Sequence, residues 1–239
     1  GRRDGPVNAT DAPTLLAFDA AGAGCAAVLW RAERVAARRA DPETRAQAER
    51  LVPLLDALLT DAGVTYDDLD AVAVTTGPGG FTGVRLGLAA ARGLALALDI
   101  PTVGVSVFEA VAAAATHETP SGASLIVLVD ARRADLHVQV SDAEGTPTGA
   151  PFAALPADLD RLLPAGPLCL AGDGAARAAP ALAAAGRRLH LAAATHTDPA
   201  WVARLAAGRI DPAAPPPRPL YLRPPDATPA SAAAQSPKA

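Results

Sequence analysis

Apolar residues fall along this chain in short blocks whose period changes from strand-like to helical. Leu15-Leu16-Ala17-Phe18-Asp19 is a brief apolar run closed by an acid, Cys25 to Trp30 is a second, and Arg34 to Arg38 is a weaker third. Glycine and small residues separate the first two, the spacing of strands in a meander. From Pro42-Glu43-Thr44 the period becomes helical to about Thr60, with Leu51, Leu54, Leu55, Leu58 and Leu59 on one face. Pro53 lies inside that pattern and predicts a kink or a division in two. Ala71 to Val74 reads as a buried strand. It is followed by the loop Gly77 to Gly83, a helix Val84 to Leu98, a strand Thr102 to Val105 and a helix from Ser106 to Ala115. Strands first and crossovers later predict a parallel sheet extended by an antiparallel hairpin.

After Thr119-Pro120-Ser121-Gly122 the pattern partly repeats. Leu125 to Val129 runs into Asp130, Asp135 to Ser141 is its hairpin partner, and Leu168 to Ala171 is a further strand. Helices follow at Ala175 to Ala185 and Pro199 to Ala207. The expected organisation is a loose arm over 1–13, a lobe over 14–117, a smaller lobe over 118–210 and a Pro/Ala-rich tail over 211–239, largely disordered. Pro215-Pro216-Pro217 and Pro224-Pro225 keep that tail out of regular structure.

Composition narrows the function. With 50% hydrophobic and 19% charged residues, the 239-residue chain is globular. Its formal net charge of -4 offers no surplus of cations to neutralise phosphates, so tight unaided binding to tRNA or DNA is not expected. Cys25 and Cys169 each sit in an apolar run and read as buried, reduced thiols. The apolar stretch Leu86 to Leu98 is interrupted by Arg92 and is short for a bilayer, so no membrane is expected and the cytoplasm is the default location.

Three features bear on chemistry. The loop Gly77, Gly79, Gly80, Thr82, Gly83 leads from a buried strand into a helix, where free N–H groups and the helix dipole can cradle an anion. It reads equally as a tight turn with Thr82 as N-cap, and no Gly-Lys-Ser/Thr makes it a P-loop. Asp19 and Asp130 each end a strand that begins one half of the chain. Ala20-Ala21-Gly22 after the first lacks a hydroxyl for a phosphate, and Ala131-Arg132-Arg133 after the second lacks a glycine. The readings left open are a degenerate nucleotide site or acids capping local backbone. His117, His137, His190 and His196 show no ligand spacing, so no metal is expected. Finally, Gly83, Gly87, Ala91 and Ala95 form a stripe of small residues on a helix otherwise covered by leucines, Leu88 among them. Such a helix is buried on more than one side, by its own domain or by a second chain.

Gly77-Pro78-Gly79-Gly80-Phe81-Thr82-Gly83-Val84-Arg85-Leu86-Gly87 resembles the Gly-Pro-Gly-Ser-Phe-Thr-Gly-Val-Arg-Ile-Gly signature of the TsaB family. Leu15 to Asp19, Cys25 to Trp30, Gly93 to Ala97, Pro101 to Ser106, Val129 to Arg132 and Tyr221-Leu222-Arg223 resemble its other elements. Ala20 stands where the family usually has Thr, and Gly80 replaces Ser. The resemblance implies an α/β, two-lobed sugar-kinase/Hsp70/actin-like (RNase H-like) fold with a reduced second lobe. It implies a non-catalytic scaffold without cofactor, working in threonylcarbamoylation of the tRNA adenosine next to the anticodon. A TsaD-type paralogue would be its heterodimer partner, a TsaE-type ATPase would join them, and tRNA would be met only through the complex. A homodimer in isolation stays open. The family's N-terminal helices form its partner surface, which assigns Gly83, Gly87, Leu88, Ala91 and Ala95 to the interface. A glycoprotease-type metallopeptidase would need a histidine pair that is missing. A small-molecule kinase would need intact phosphate loops after both Asp19 and Asp130.

Overall fold

The apolar blocks become two sheets of one topology. In the computed structural model, which describes residues 12–43 and 45–222, β1 (Leu15–Asp19), β2 (Cys25–Arg31) and β3 (Arg34–Asp41) form the meander. Then α1 (Gln47–Ala62) leads to β4 (Ala71–Thr75), α2 (Phe81–Leu98) to β5 (Thr102–Val105), and α3 (Val107–Ala115) leaves the lobe. The sheet order is β3-β2-β1-β4-β5, antiparallel across the meander and parallel from β1 through β4 to β5. β1 and β4 are buried along their whole length. Helices cover both faces of such central parallel strands, which is why they read as unbroken apolar runs.

The second lobe repeats the plan. It contains β6 (Ser124–Asp130), β7 (Leu136–Ser141), β8 (Phe152–Ala154), α4 (Leu159–Leu162), β9 (Leu168–Ala171), α5 (Ala175–Ala184) and β10 (Leu189–Leu191). Its order β10-β9-β6-β7-β8 is the first lobe's order read from the other edge, so β1 and β6 hold equivalent central places. This is the two-lobed sugar-kinase/actin arrangement, with the second lobe the smaller. Four residues of α4 stand where the first lobe has the 16 of α1. The three-residue strands β8 and β10 are too short to carry a readable period.

Several expectations are corrected. Pro53 does not divide α1; it sits on the exposed side, where the Glu49 carbonyl that loses its helical partner faces water. α2 begins at Phe81 rather than Val84, and Gly80, not Thr82, is its N-cap. Helix α6 (Pro199–Ala207), expected in the second lobe, packs on the first: Val202, Ala203 and Ala206 cover Ala17, Val28, Ala73, Val103 and Val105. Sequence position alone cannot show that a chain returns to an earlier sheet.

The proline-rich segment that follows forms no helix or strand over 211–222, as its prolines imply. It lies extended as a strap across the first lobe. Leu220 N donates to Thr76 O at 2.8 Å, Arg92 Nη2 donates to Pro217 O at 2.6 Å, and the Tyr221 ring stacks on Phe81 with centroids 5.6 Å apart. Gly104 lets the strap close in, since a Cβ there would stand 2.5 Å from Pro217 Cβ. Proline needs no ladder partner for such a path. The expectations for 1–11 and 223–239 lie outside the described residues.

Candidate functional site

The C-terminal ends of β1 and β6 meet at a cleft between the lobes, the place where open α/β sheets hold ligands. Asp19, Gly22, Cys25, Pro78, Gly79 and Gly80 line one side, and Asp130, Arg132, Asp173 and His196 the other. The cavity is ≈ 160 Å³, below the roughly 300–1,000 Å³ of small-molecule sites.

Asp19 is buried at the end of β1. Thr75, at the same level of neighbouring β4, donates its hydroxyl to Asp19 Oδ1 at 2.5 Å, and Ala21 N donates to the same oxygen at 3.0 Å. Burial raises the Asp19 pKa; the bonds from Thr75, Ala21 and Gly22 and the nearby His196 charge oppose that rise without cancelling it. Asp173 is likewise raised by burial, against its bond from Asp130 N and the charge of His196. Between the unfolded value of 3.8 and the raised native value, the unfolded chain has lost a proton that the native chain keeps. Stability therefore falls as pH rises through that window. Asp19→Asn should flatten the fall in melting temperature between acid and neutral pH, leaving the share due to Asp173. Thermal melts across pH 4–8 check it, and an unchanged slope would refute the assignment.

Asp130 is already committed. Its Oδ1 accepts from Arg132 N at 2.7 Å and from Arg177 Nη1 at 2.5 Å, and the Asp130 N–H donates to Asp173 Oδ1 at 2.8 Å. Arg177 also donates to the carbonyls of Arg133 and Ala134, so it ties the end of β6 to α5. Neither Arg177 nor His196 stands out in the sequence, because each acts through a neighbour brought in by the fold. Among the described residues, no three His, Cys, Asp or Glu side chains form a group that could hold a metal. Cys25 and Cys169 are buried and unpaired by disulfide, and burial lifts both thiol pKa values, which keeps them protonated.

The glycine loop is filled by its own chain. Gly80 N donates to Ala21 O at 2.8 Å, and a Cβ on Gly79 would stand 2.4 Å from that carbonyl. A Cβ on Gly83 would stand 1.9 Å from Ala20 O. The glycines thus let the β1–β2 turn press against the start of α2, which is the tight-turn reading of Gly77 to Gly83. Gly77 O accepts from Val107 N at 2.8 Å, fixing the loop to α3 as well. Thr82 is exposed in the first turn.

The interface assigned to the small-residue stripe needs the same correction. Gly83, Gly87, Leu88 and Ala91 are buried against the chain's own lobe, and a Cβ on Gly87 would lie 3.3 Å from Val74 Cγ2. Small residues let the helix sit close on β4; only Ala95 of that set is partly exposed. The opposite side of α2 faces outward with Arg85, Ala89, Arg92, Gly93, Leu96 and Ala97. Leu96 is 85% exposed, and the space around Gly93 is open. At 18 residues α2 is long and apolar enough to cross a membrane by length and composition alone, yet it lies on a sheet.

A family model described as TsaD, tRNA N6-adenosine threonylcarbamoyltransferase, matches residues 41–147, and so leaves out Asp19. An uncharacterized protein of Mycobacterium tuberculosis H37Rv is 35% identical over 225 residues, covering 90% of this chain and 94% of that one. The tRNA threonylcarbamoyladenosine biosynthesis protein TsaB of Escherichia coli K12 is 35% identical over 124 residues, 52% of each chain. The match thus spans about half of that protein. The solved structure of YeaZ from Pseudomonas aeruginosa superposes with a TM-score of 0.65 at 27% identity, over 82% of this chain and 91% of that one.

Proposed function

Because this chain belongs to the TsaB family, with relatives named for tRNA threonylcarbamoyladenosine biosynthesis, we propose that it is the non-catalytic scaffold subunit of that reaction in the cytoplasm. Its partner is a TsaD-type transferase, a TsaE-type ATPase joins the pair, and tRNA is engaged in the assembly. The observation that carries the non-catalytic reading is the cleft. A fold-related enzyme would hold a nucleotide there between two strand-end acids. Here Asp130 is neutralised by Arg177 and the cavity is ≈ 160 Å³. The glycine loop, which would present N–H groups to a phosphate, is closed by the carbonyls of Ala20 and Ala21.

The outward side of α2 supports the scaffold role. Ala89, Gly93 and Ala97 recur every four residues beside the exposed Leu96, so a helix of the partner can approach closely there. This side takes over the interface role expected of the buried stripe.

Reconstitution tests the reading. Purified TsaD-type and TsaE-type proteins with tRNA, threonylcarbamoyl-adenylate and ATP should form the modified adenosine only when this chain is added. The chain alone should not turn over ATP. Modification at full rate without it, or ATP hydrolysis by the isolated chain that Asp19→Asn removes, would overturn the proposal.

A further inference from the structure

We propose that Asp19 is a positioning residue: with Thr75 it braces the β1–β2 turn against the start of α2, and so fixes the helix whose outward side receives the transferase partner. The docking half of this rests on the reading above. The acid that a fold-related enzyme would turn toward a nucleotide is here used on its own chain.

The contacts form one short route. β1 and β4 end side by side, and a turn leaves each of them, 20–24 from β1 and 76–80 from β4. Asp19 Oδ1 ties the two strand ends together, accepting from the Thr75 hydroxyl and from Ala21 N. Both side chains are buried, Asp19 at 7% exposure and Thr75 at 1%. With its amide held, Ala21 turns its carbonyl to the other turn, where it accepts from Gly80 N at 2.8 Å. Gly80 is the N-cap of α2, and its own carbonyl accepts from Val84 N at 2.9 Å, the first bond of the helix. Phe81 follows directly. It lies one turn before Arg85, whose guanidinium covers its ring at 3.6 Å, and so begins the outward side.

This start needs an outside support. Gly80 has no side-chain oxygen to offer the free N–H groups of the first turn, so α2 begins without a side-chain cap. Its seat is the backbone of the β1–β2 turn, which Gly79 and Gly83 allow to touch the helix directly. The far end of the same turn is held as well: Gln47 Nε2, in the first residue of α1, donates to Gly24 O at 2.8 Å. The turn therefore lies between the first turns of α1 and α2, and its shape sets where both begin. Burying an acid is unfavourable unless hydrogen bonds compensate it. At Asp19 the compensating donors are the groups that fix this turn.

Amide hydrogen exchange on the isolated chain tests the brace, and association with the TsaD-type protein tests its use. Asp19→Ala should speed exchange at Gly80 and Val84 by about tenfold or more, as expected when buried hydrogen bonds are lost. Amides of β6 and β9 in the second lobe should keep their rates. Association should weaken about fivefold or more, because the competent start of α2 is then populated only part of the time. Asp19→Asn keeps an oxygen for Thr75 and Ala21 and should stay near wild type in both measurements. Should Asp19→Ala not fold, Thr75→Val removes one donor while keeping the side chain's shape, and should show the same pattern at smaller size. Unchanged exchange at Gly80 and Val84 in the folded variant would overturn the proposal. A rise spread equally over both lobes would overturn it too, marking Asp19 as a contributor to general stability only. Local fraying with undiminished association would refute the docking role. If the wild-type chain does not associate at all, the scaffold reading falls and the docking role with it, even where the exchange pattern shows the brace.

Discussion

Ala91→Arg should leave the first lobe unfolded at 25 °C. Ala91 has no exposed surface and lies in the core that α2 shares with β1 and β4. The stripe Gly83, Gly87, Ala91 brings the helix backbone close to the sheet, so the pocket at position 91 holds one methyl group. An arginine there must either bury an unpaired guanidinium or lever the helix off its strands. The cost is about 4 kcal/mol or more, a large part of the roughly 5–15 kcal/mol that holds a domain together. Circular dichroism should show loss of the cooperative thermal transition. A folded Ala91→Arg chain would mean that α2 is turned the other way, with the small stripe on the surface.

Leu96→Asp should do the reverse: fold normally and fail to assemble. Leu96 is 85% exposed on the outward side of α2, so an acid there meets water in the free chain. In the complex it would be buried without a partner, a penalty of about 3–5 kcal/mol. That is about a hundredfold or more in affinity. Light scattering on mixtures with the TsaD-type protein should show separate species, while the melt of the free chain stays within a degree or two of wild type. Normal assembly would remove this side of α2 from the interface.

The contrast between positions 91 and 96 also shows where sequence reading ran out. The run Leu86 to Leu98 announces a helix apolar nearly all round, but periodicity is blind to which side packs inward. Close approach decided it: Ala20 O and Val74 Cγ2 occupy the space that larger residues at 83 and 87 would fill. The central strands were legible because β1, β4, β6 and β9 are unbroken apolar blocks between turn residues. The flanking strands β8 and β10 were not, having three residues each. At the cleft, the strand-end acids Asp19 and Asp130 were visible. Their partners Thr75, Arg177 and His196 were not, because each is brought in from a distant stretch of chain. The prolines over 211–222 show that no regular element forms there, but not that the segment is extended and pinned by Gly104, Arg92 and Thr76.

The return of α6 to the first sheet has a bearing on synthesis. A ribosome delivers the chain from the N-terminus at about 5–20 residues per second. β1 to β5 emerge early, but the side of their sheet that Val202, Ala203 and Ala206 cover has no lid until α6 appears. The second lobe, whose strands and helices lie between Ser124 and Leu191, has all its pieces sooner. The lobe translated first is thus the one completed last. For the intervening seconds, Ala17, Val28, Ala73 and Val103 stand open on a nascent sheet, a surface for a chaperone to shield.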